Sequence, residues 1–207
     1  MRRTLVATLI APLLLLTACS GGDEAAAPTT TEAATTTTEA ATTTTEAATT
    51  TTEAVTTTTE VVLPVPLPPP APRAKEPLTE LGSLEIPKLK VTEPLLEGIS
   101  LNTLDRGPGH WPGTAMPGHI GNVVVGGHRT SHSRPFRHID QLVPGDEVIL
   151  TTLEGRFVYK VTSTKIVTPD AMWIVDQQPT FTATLFACHP VGSTRERIVV
   201  FLELAQS

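Results

Sequence analysis

Two runs near the C-terminus decide the fold: Thr180-Phe181-Thr182-Ala183-Thr184-Leu185-Phe186-Ala187-Cys188 and, beginning nine residues after that cysteine, Arg197-Ile198-Val199-Val200-Phe201-Leu202-Glu203-Leu204. The first alternates polar and apolar side chains as far as Leu185, and the second is rich in β-branched and aromatic residues. Successive strand side chains point to opposite faces, so alternation of this kind turns one face to a core and the other outward. Cys188 closes the first run and Arg197 opens the second, which sets polar chemistry at strand ends.

Further back, Phe157, Tyr159 and Val161 alternate with Val158, Lys160 and Thr162 inside a run from Arg156 to Ser163. Shorter β-rich runs cover Ser83 to Ile86, Asn122 to Val125 and Glu147 to Thr152. Between them stand turn formers: Pro87, Gly107-Pro108-Gly109, Pro112-Gly113, Pro117-Gly118, Pro144-Gly145-Asp146 and Glu154-Gly155. Many short strands punctuated by Pro and Gly predict an all-β barrel or sandwich rather than a βαβ sheet. Helix is confined to short turns near Asn102 to Arg106 and Phe136 to Leu142. About 130 residues suffice for one domain with its own core.

The first eighty residues are of another kind. Arg2 and Arg3 precede an apolar run from Leu5 to Leu16, the layout of a secretory signal. The run falls short of the roughly 20 apolar residues that a membrane-spanning helix needs. It stops at Leu16-Thr17-Ala18-Cys19, which resembles a bacterial lipobox. That resemblance implies a lipoprotein signal peptide over 1–18 and lipidation of Cys19, holding the protein on the outer face of the cytoplasmic membrane; an ordinary signal peptide or a short signal-anchor is the alternative. From Ala25 to Val62 the chain repeats Thr-Glu-Ala-Ala-Thr-Thr-Thr, with Glu32, Glu39, Glu46, Glu53 and Glu60 at seven-residue intervals. A coiled coil is ruled out, because no apolar a/d positions exist and runs of threonine form helix poorly. A segment with so few large apolar side chains cannot offset its ordering entropy, so a disordered stalk is expected. Val61 to Pro72 then reads as a stiffer proline-rich spacer. The organisation expected is therefore a lipid-anchored disordered linker over 19–77 and a folded domain over 78–207. A threonine-rich stalk outside the cell also offers sites for O-glycosylation.

The net charge of -6 belongs mostly to the stalk: seven acidic and no basic residues lie between Asp23 and Glu60, whereas from Arg73 onward 13 Lys and Arg face 14 Asp and Glu. A nearly neutral domain offers no nucleic-acid surface.

With Cys19 consumed by a lipid, Cys188 is the only thiol left and an internal disulfide is excluded. Such a thiol is an inert buried side chain, an intermolecular crosslink or a reactive group. His128 follows Asn122-Val123-Val124-Val125-Gly126-Gly127 and, like Arg197, stands at a strand end. Strand ends gathered on one side of a barrel bring distant residues together. A nearby cation favours the thiolate form of a cysteine, and an arginine donor stabilises the oxyanion that forms when a thiolate attacks an amide.

At these residues the chain resembles the sortases, cysteine transpeptidases of Gram-positive cell surfaces. Their Thr-Leu-x-Thr-Cys motif corresponds to Thr184-Leu185-Phe186-Ala187-Cys188, their arginine to Arg197 before Ile198-Val199-Val200, and their histidine to His128 in Gly126-Gly127-His128-Arg129-Thr130. The likeness runs through most of residues 82–204, in order: Gly82-Ser83-Leu84-Glu85-Ile86-Pro87, Leu104-Asp105-Arg106-Gly107-Pro108-Gly109-His110, Gly121-Asn122-Val123, Pro135-Phe136-Arg137, Asp140-Gln141-Leu142 and Pro144-Gly145-Asp146. Gly-His-Arg and Cys-His-Pro are most similar to the class E members. The resemblance implies a closed barrel of about eight strands with one or two short helices. It implies catalytic residues His128, Cys188 and Arg197, no cofactor and no metal. It also implies cleavage of a Leu-x-x-Thr-Gly-type sorting signal after threonine through a thioacyl enzyme. The acyl group then passes to an amine of a peptidoglycan precursor or another surface protein.

Two departures stand out. Ala187 replaces the usual threonine, which keeps the backbone donor and removes a hydroxyl expected near the substrate; and a lipid with a stalk replaces the usual anchor helix.

The same residues admit other readings. A single cysteine in an apolar strand is commonly a small buried hydrophobe. His189 beside Cys188, with His128, His132 and His138, suggests zinc, but one thiol without Cys-x-x-Cys or His-Glu-x-x-His spacing argues against it. His110, His119, His132 and His138 read as loop or turn residues. Arg195 rivals Arg197, being two positions away on the same strand face. Trp111, Met172 and Trp173 are candidates to line a groove. An L,D-transpeptidase would need a Ser-His-Gly-Cys-type motif that this chain lacks, and a non-catalytic lipoprotein binding module is the remaining alternative.

Overall fold

A computed structural model of the chain describes residues 60–205. The leader, Cys19 and nearly all of the threonine-rich repeat lie outside the described residues. Eight strands follow one another: β1 (Thr79–Ile86), β2 (Val91–Glu97), β3 (Gly109–His110), β4 (Gly121–Gly126), β5 (Glu147–Thr152), β6 (Gly155–Val167), β7 (Phe181–His189) and β8 (Glu196–Leu204). They close into a barrel in the order β1-β2-β3-β4-β7-β8-β6-β5. The pairings β2–β3 and β4–β7 are parallel and the others antiparallel. Helix is limited to α1 (Leu101–Leu104) and three 3₁₀ turns at Pro87–Leu89, Ile139–Gln141 and Met172–Val175.

The period of two holds where the sequence shows it. Ala183, Leu185 and Ala187 of β7 and Ile198, Val200 and Leu202 of β8 point into the barrel, with Tyr159 and Val161 of β6 among them. Burying such side chains supplies the main drive for closure, at about 25 cal/mol per Å² of apolar surface. β4 is buried at every position. Val123 and Val125 fill the barrel, while Val124 faces out into a second apolar cluster with Trp111, Ile174, Val175 and Val199. A strand apolar on both faces fits a place between two neighbours with a further layer outside.

β2 and β3 are strands that the sequence conceals. β2 carries Pro94, which removes a backbone donor and reads as a strand breaker. It is tolerated where the ladder is incomplete, since β3 pairs only with Leu96 and Glu97. β3 has two residues, too few for any period. Accordingly His110 is a strand residue rather than a loop residue: it is 2% exposed, its Nδ1 lies 2.7 Å from Glu97 Oε2 and its Nε2 3.0 Å from the carbonyl of Ala115.

The proline-rich segment, read from sequence as a spacer, is extended but laid against the barrel. The Leu67 N–H donates to the carbonyl of Pro112 at 2.9 Å, and the Trp111 indole N–H donates to the carbonyl of Leu67 at 2.8 Å. The Leu101 N–H donates to the carbonyl of Pro72 at 2.7 Å. Asn102 donates to the carbonyls of Arg73 and Ala74, and Glu76 accepts from the Ser100 N–H and the Thr103 hydroxyl. A segment poor in core-forming residues thus docks chiefly through backbone polar groups that its sequence cannot advertise.

Candidate active site

The site is assembled by β-ladder register. Cys188 is paired with Arg197 across β7–β8. Both belong to the outward set, since Ala187 and Ile198 beside them are packed in the barrel. On the other side of β7, β4 runs parallel in register up to Gly126 opposite Phe186. The Gly127 N–H then donates to the carbonyl of Phe186 at 3.1 Å, so His128 leaves the sheet beside the cysteine end of β7. The two glycines before the histidine are there for space. A Cβ at Gly126 would come within 2.8 Å of the Phe186 ring, and one at Gly127 within 2.6 Å of Phe136.

Cys188, Arg197 and His128 open into one cavity of about 350 Å³. Its apolar lining includes Ile99, Leu101, Leu104, Trp111, Phe186 and Met172. Pro69 and Pro72 of the docked segment complete it. A mostly apolar cleft with a few converging polar groups is the usual form of a small-ligand or peptide site. Arg197 donates through one terminal nitrogen to the carbonyls of Thr194 at 3.0 Å and Glu196 at 2.9 Å, which fixes the root of the β7–β8 loop.

His128 Nε2 lies 3.0 Å from Asp105 Oδ1. The His132 ring stacks on it with centroids 5.3 Å apart and brings Nδ1 within 3.2 Å of the same oxygen. Arg73 of the docked segment holds Asp105 Oδ2 at 2.6 Å. Partial burial pushes the Asp105 carboxyl up. The hydrogen bonds from Arg73 and His128, with the charges of His132 and Arg73, outweigh it and hold the group below the usual carboxylate range. The donor atoms of Asp105, His128 and His132 lie within 4.8 Å of one another, the kind of set that holds a divalent metal. The guanidinium on the same carboxylate opposes a second cation there. His138 and His189 lie outside that cluster.

Behind the cavity, Arg129 is 2% exposed and donates to His189 Nδ1 at 3.0 Å and to Asp140 Oδ1 at 2.7 Å. This ties the residue after His128 to the residue after Cys188.

Among the described residues, all three site residues expected from sequence therefore share one cavity, and Cys19 lies outside the described residues. Arg195 lines a separate surface hollow with Pro190, Gly192, Ser193 and Glu196. Trp111 and Met172 line the cavity. Trp173 instead stacks on Phe201 in a different cleft. Ala187 is 2% exposed and packs in the core, and it also borders the cavity beside Cys188. Sequence reasoning gave no role to Asp105 or Arg129. Each is a charged residue beside residues already singled out, Asp105 in the Leu104–His110 run and Arg129 directly after His128.

The sortase-domain family model matches residues 84–205. The chain belongs to the sortase family. Sortases are cysteine transpeptidases, and the closed barrel described above is what this sortase shares with their solved structures. It is 36% identical to sortase SrtE1 of Streptomyces coelicolor over 152 residues, covering 66% of this chain and 43% of the relative. It is 33% identical to sortase D of Bacillus subtilis, covering 58% of this chain and 61% of the relative. The match thus spans less than two thirds of either relative. A crystal structure of sortase E1 from Streptomyces coelicolor with a tripeptide in its active site superposes with a TM-score of 0.58 at 32% identity, over 62% of this chain and 89% of that one. Among the described residues of this sortase, no helix is long and apolar enough to cross a membrane.

Proposed function

We propose that this chain is a cell-surface transpeptidase that cleaves a Leu-x-x-Thr-Gly-type sorting signal after threonine and joins the new acyl group to an amine. The observation that carries this reading is the cavity shared by Cys188, its cross-strand partner Arg197 and His128. The Cys188 thiolate adds to the threonine carbonyl carbon. The oxyanion is met by the guanidinium N–H groups of Arg197 not engaged with its own loop. The tetrahedral species collapses as the carbon–nitrogen bond breaks and His128 gives a proton to the departing amine. The acceptor amine, on a peptidoglycan precursor or another surface protein, then adds to the thioester. His128 takes its proton and the carbon–sulfur bond breaks. The apolar lining, with Ile99, Leu101 and Leu104 in it, suits the leucine of the signal.

The test is mass spectrometry after mixing the protein with labelled Leu-x-x-Thr-Gly and Leu-Ala-x-Thr-Gly peptides. An acyl adduct on Cys188, absent from Cys188→Ala, is expected. No adduct with either peptide rejects the transpeptidase and favours a binding module.

For attachment, the Arg2-to-Cys19 pattern supports a lipid on Cys19 after removal of residues 1–18. Protein extracted from membranes should carry diacylglycerol on Cys19; a retained leader or a bare cysteine overturns this.

A further inference from the structure

We propose that Asp105 is a positioning residue that holds His128 in one tautomer, and that the proline-rich segment, through Arg73 and α1, holds Asp105. The inference rests on the transpeptidase reading for its kinetic consequence, but its geometry stands apart from it.

An Asp carboxylate accepts and does not donate, so the 3.0 Å contact requires a proton on His128 Nε2. In the neutral ring that leaves Nδ1 as the nitrogen with a free lone pair, and Nδ1 becomes the atom that exchanges the proton with the amine. The other tautomer would set two lone pairs against each other and lose the bond. A carboxylate that fixes the ring also fixes which edge of the imidazole faces the cavity, a role with a known parallel in Asp-oriented catalytic histidines.

Asp105 is itself held from two directions. Its backbone is the C-terminal cap of α1, with its N–H donating to the carbonyls of Leu101 and Thr103. The same helix begins at Ser100, whose N–H donates to Glu76 and whose hydroxyl accepts from the Thr103 N–H. The Asn102 amide reaches the carbonyls of Arg73 and Ala74. The Asp105 side chain places Oδ2 against Arg73, leaving Oδ1 for the histidines. A single turn of helix has little stability of its own. Residues 72–76 clamp it at both polar ends, and the clamp reaches His128 through one carboxylate. The segment that joins the barrel to its stalk is thereby part of the active-site framework.

The experiment uses the full chain with ring-¹⁵N-labelled histidine, the His128 signals being assigned with His128→Gln. At about pH 9, above the ordinary imidazole range, His128 should carry its proton on Nε2 with Nδ1 bare; the opposite tautomer overturns the proposal. Asp105→Asn should shift the ring signals toward a mixture and lower kcat by about tenfold or more, with KM within about twofold, because the group acts through the histidine and not on the peptide. Arg73→Ala, which removes the 61% exposed member of the pair with Asp105, should lower kcat by about two- to fivefold. Glu154→Gln, which breaks a surface carboxylate–histidine pair with His119, should change neither. An Asp105→Asn protein with wild-type kcat or an unchanged ring pattern overturns the proposal. Failure of the wild-type protein to acylate Cys188 would instead sink the transpeptidase reading while leaving the tautomer result in place.

Discussion

Cys188 and Arg197 stand opposite each other in the β7–β8 ladder. Their proximity is therefore set by backbone register and not by the choice of a side-chain rotamer. A slip of one residue would turn either of them into the barrel interior. Ala187 and Ile198, packed in the core on the adjacent positions, resist that slip.

Replacing Arg197 by lysine keeps the charge and loses the planar fork of donors. Arg197→Lys is expected to lower turnover of a sorting-signal peptide by about a hundredfold or more, the usual scale for loss of an oxyanion donor, with circular dichroism unchanged. Arg195 faces a different hollow, so Arg195→Ala should stay within about twofold of wild type. The reverse ranking of the two variants would reassign the arginine.

Gly127 has no room for a side chain, since a Cβ would stand 2.6 Å from the Phe136 ring. Gly127→Ala should cost about 1–3 kcal/mol in urea unfolding, as overpacking does, and should reduce activity further by moving His128. An unchanged midpoint would show that Phe136 gives way without cost.

Asp146 accepts from Lys88 at 2.7 Å and from the Val143 N–H at 2.7 Å. The Lys88 hydrogen bond first, then the backbone bond, lower its carboxyl below the ordinary value against a smaller opposing effect of burial. A depressed folded-state value means stability that is present above the unfolded carboxylate range, near pH 4, and lost as pH falls through the lower folded value. Asp146→Asn should therefore be less stable than wild type at pH 7, and the two unfolding midpoints should converge below about pH 4. A gap that persists into acid would trace the loss to the turn geometry and not to the charge.

What the sequence disclosed and what it hid follow from the reach of each interaction. Phe157, Tyr159 and Val161 advertise β6 because period-two burial is a local pattern, and Cys188 and Arg197 are conspicuous because they interrupt apolar runs. His128 is legible from its place just past the Val123–Val125 run and from the Gly126–Thr130 likeness, while the steric need of Gly126 and Gly127 shows only in the fold. β3 has no pattern to show, because two residues carry none, and Pro94 disguised β2. The docking of Leu67, Pro72 and Glu76 depends on backbone carbonyls and one carboxylate meeting partners more than twenty residues away. Composition speaks only of their poverty in core residues. Asp105 lies within the Leu104–His110 run, yet its bond to a histidine 23 residues on exists only once α1 and the β4 exit are in place.

The parallel pairing of β4 with β7 joins positions sixty residues apart, from Gly121 with Phe181 to Gly126 with Phe186. Contacts of such separation require a large loop to close before they return any energy, and they form slowly. No species in which β4 and β7 are still apart has its histidine beside its thiol. On the proposed mechanism such nascent or partly refolded molecules cannot acylate, and recovery of acylation after denaturation should lag behind recovery of local β structure, reporting the closing of that one ladder.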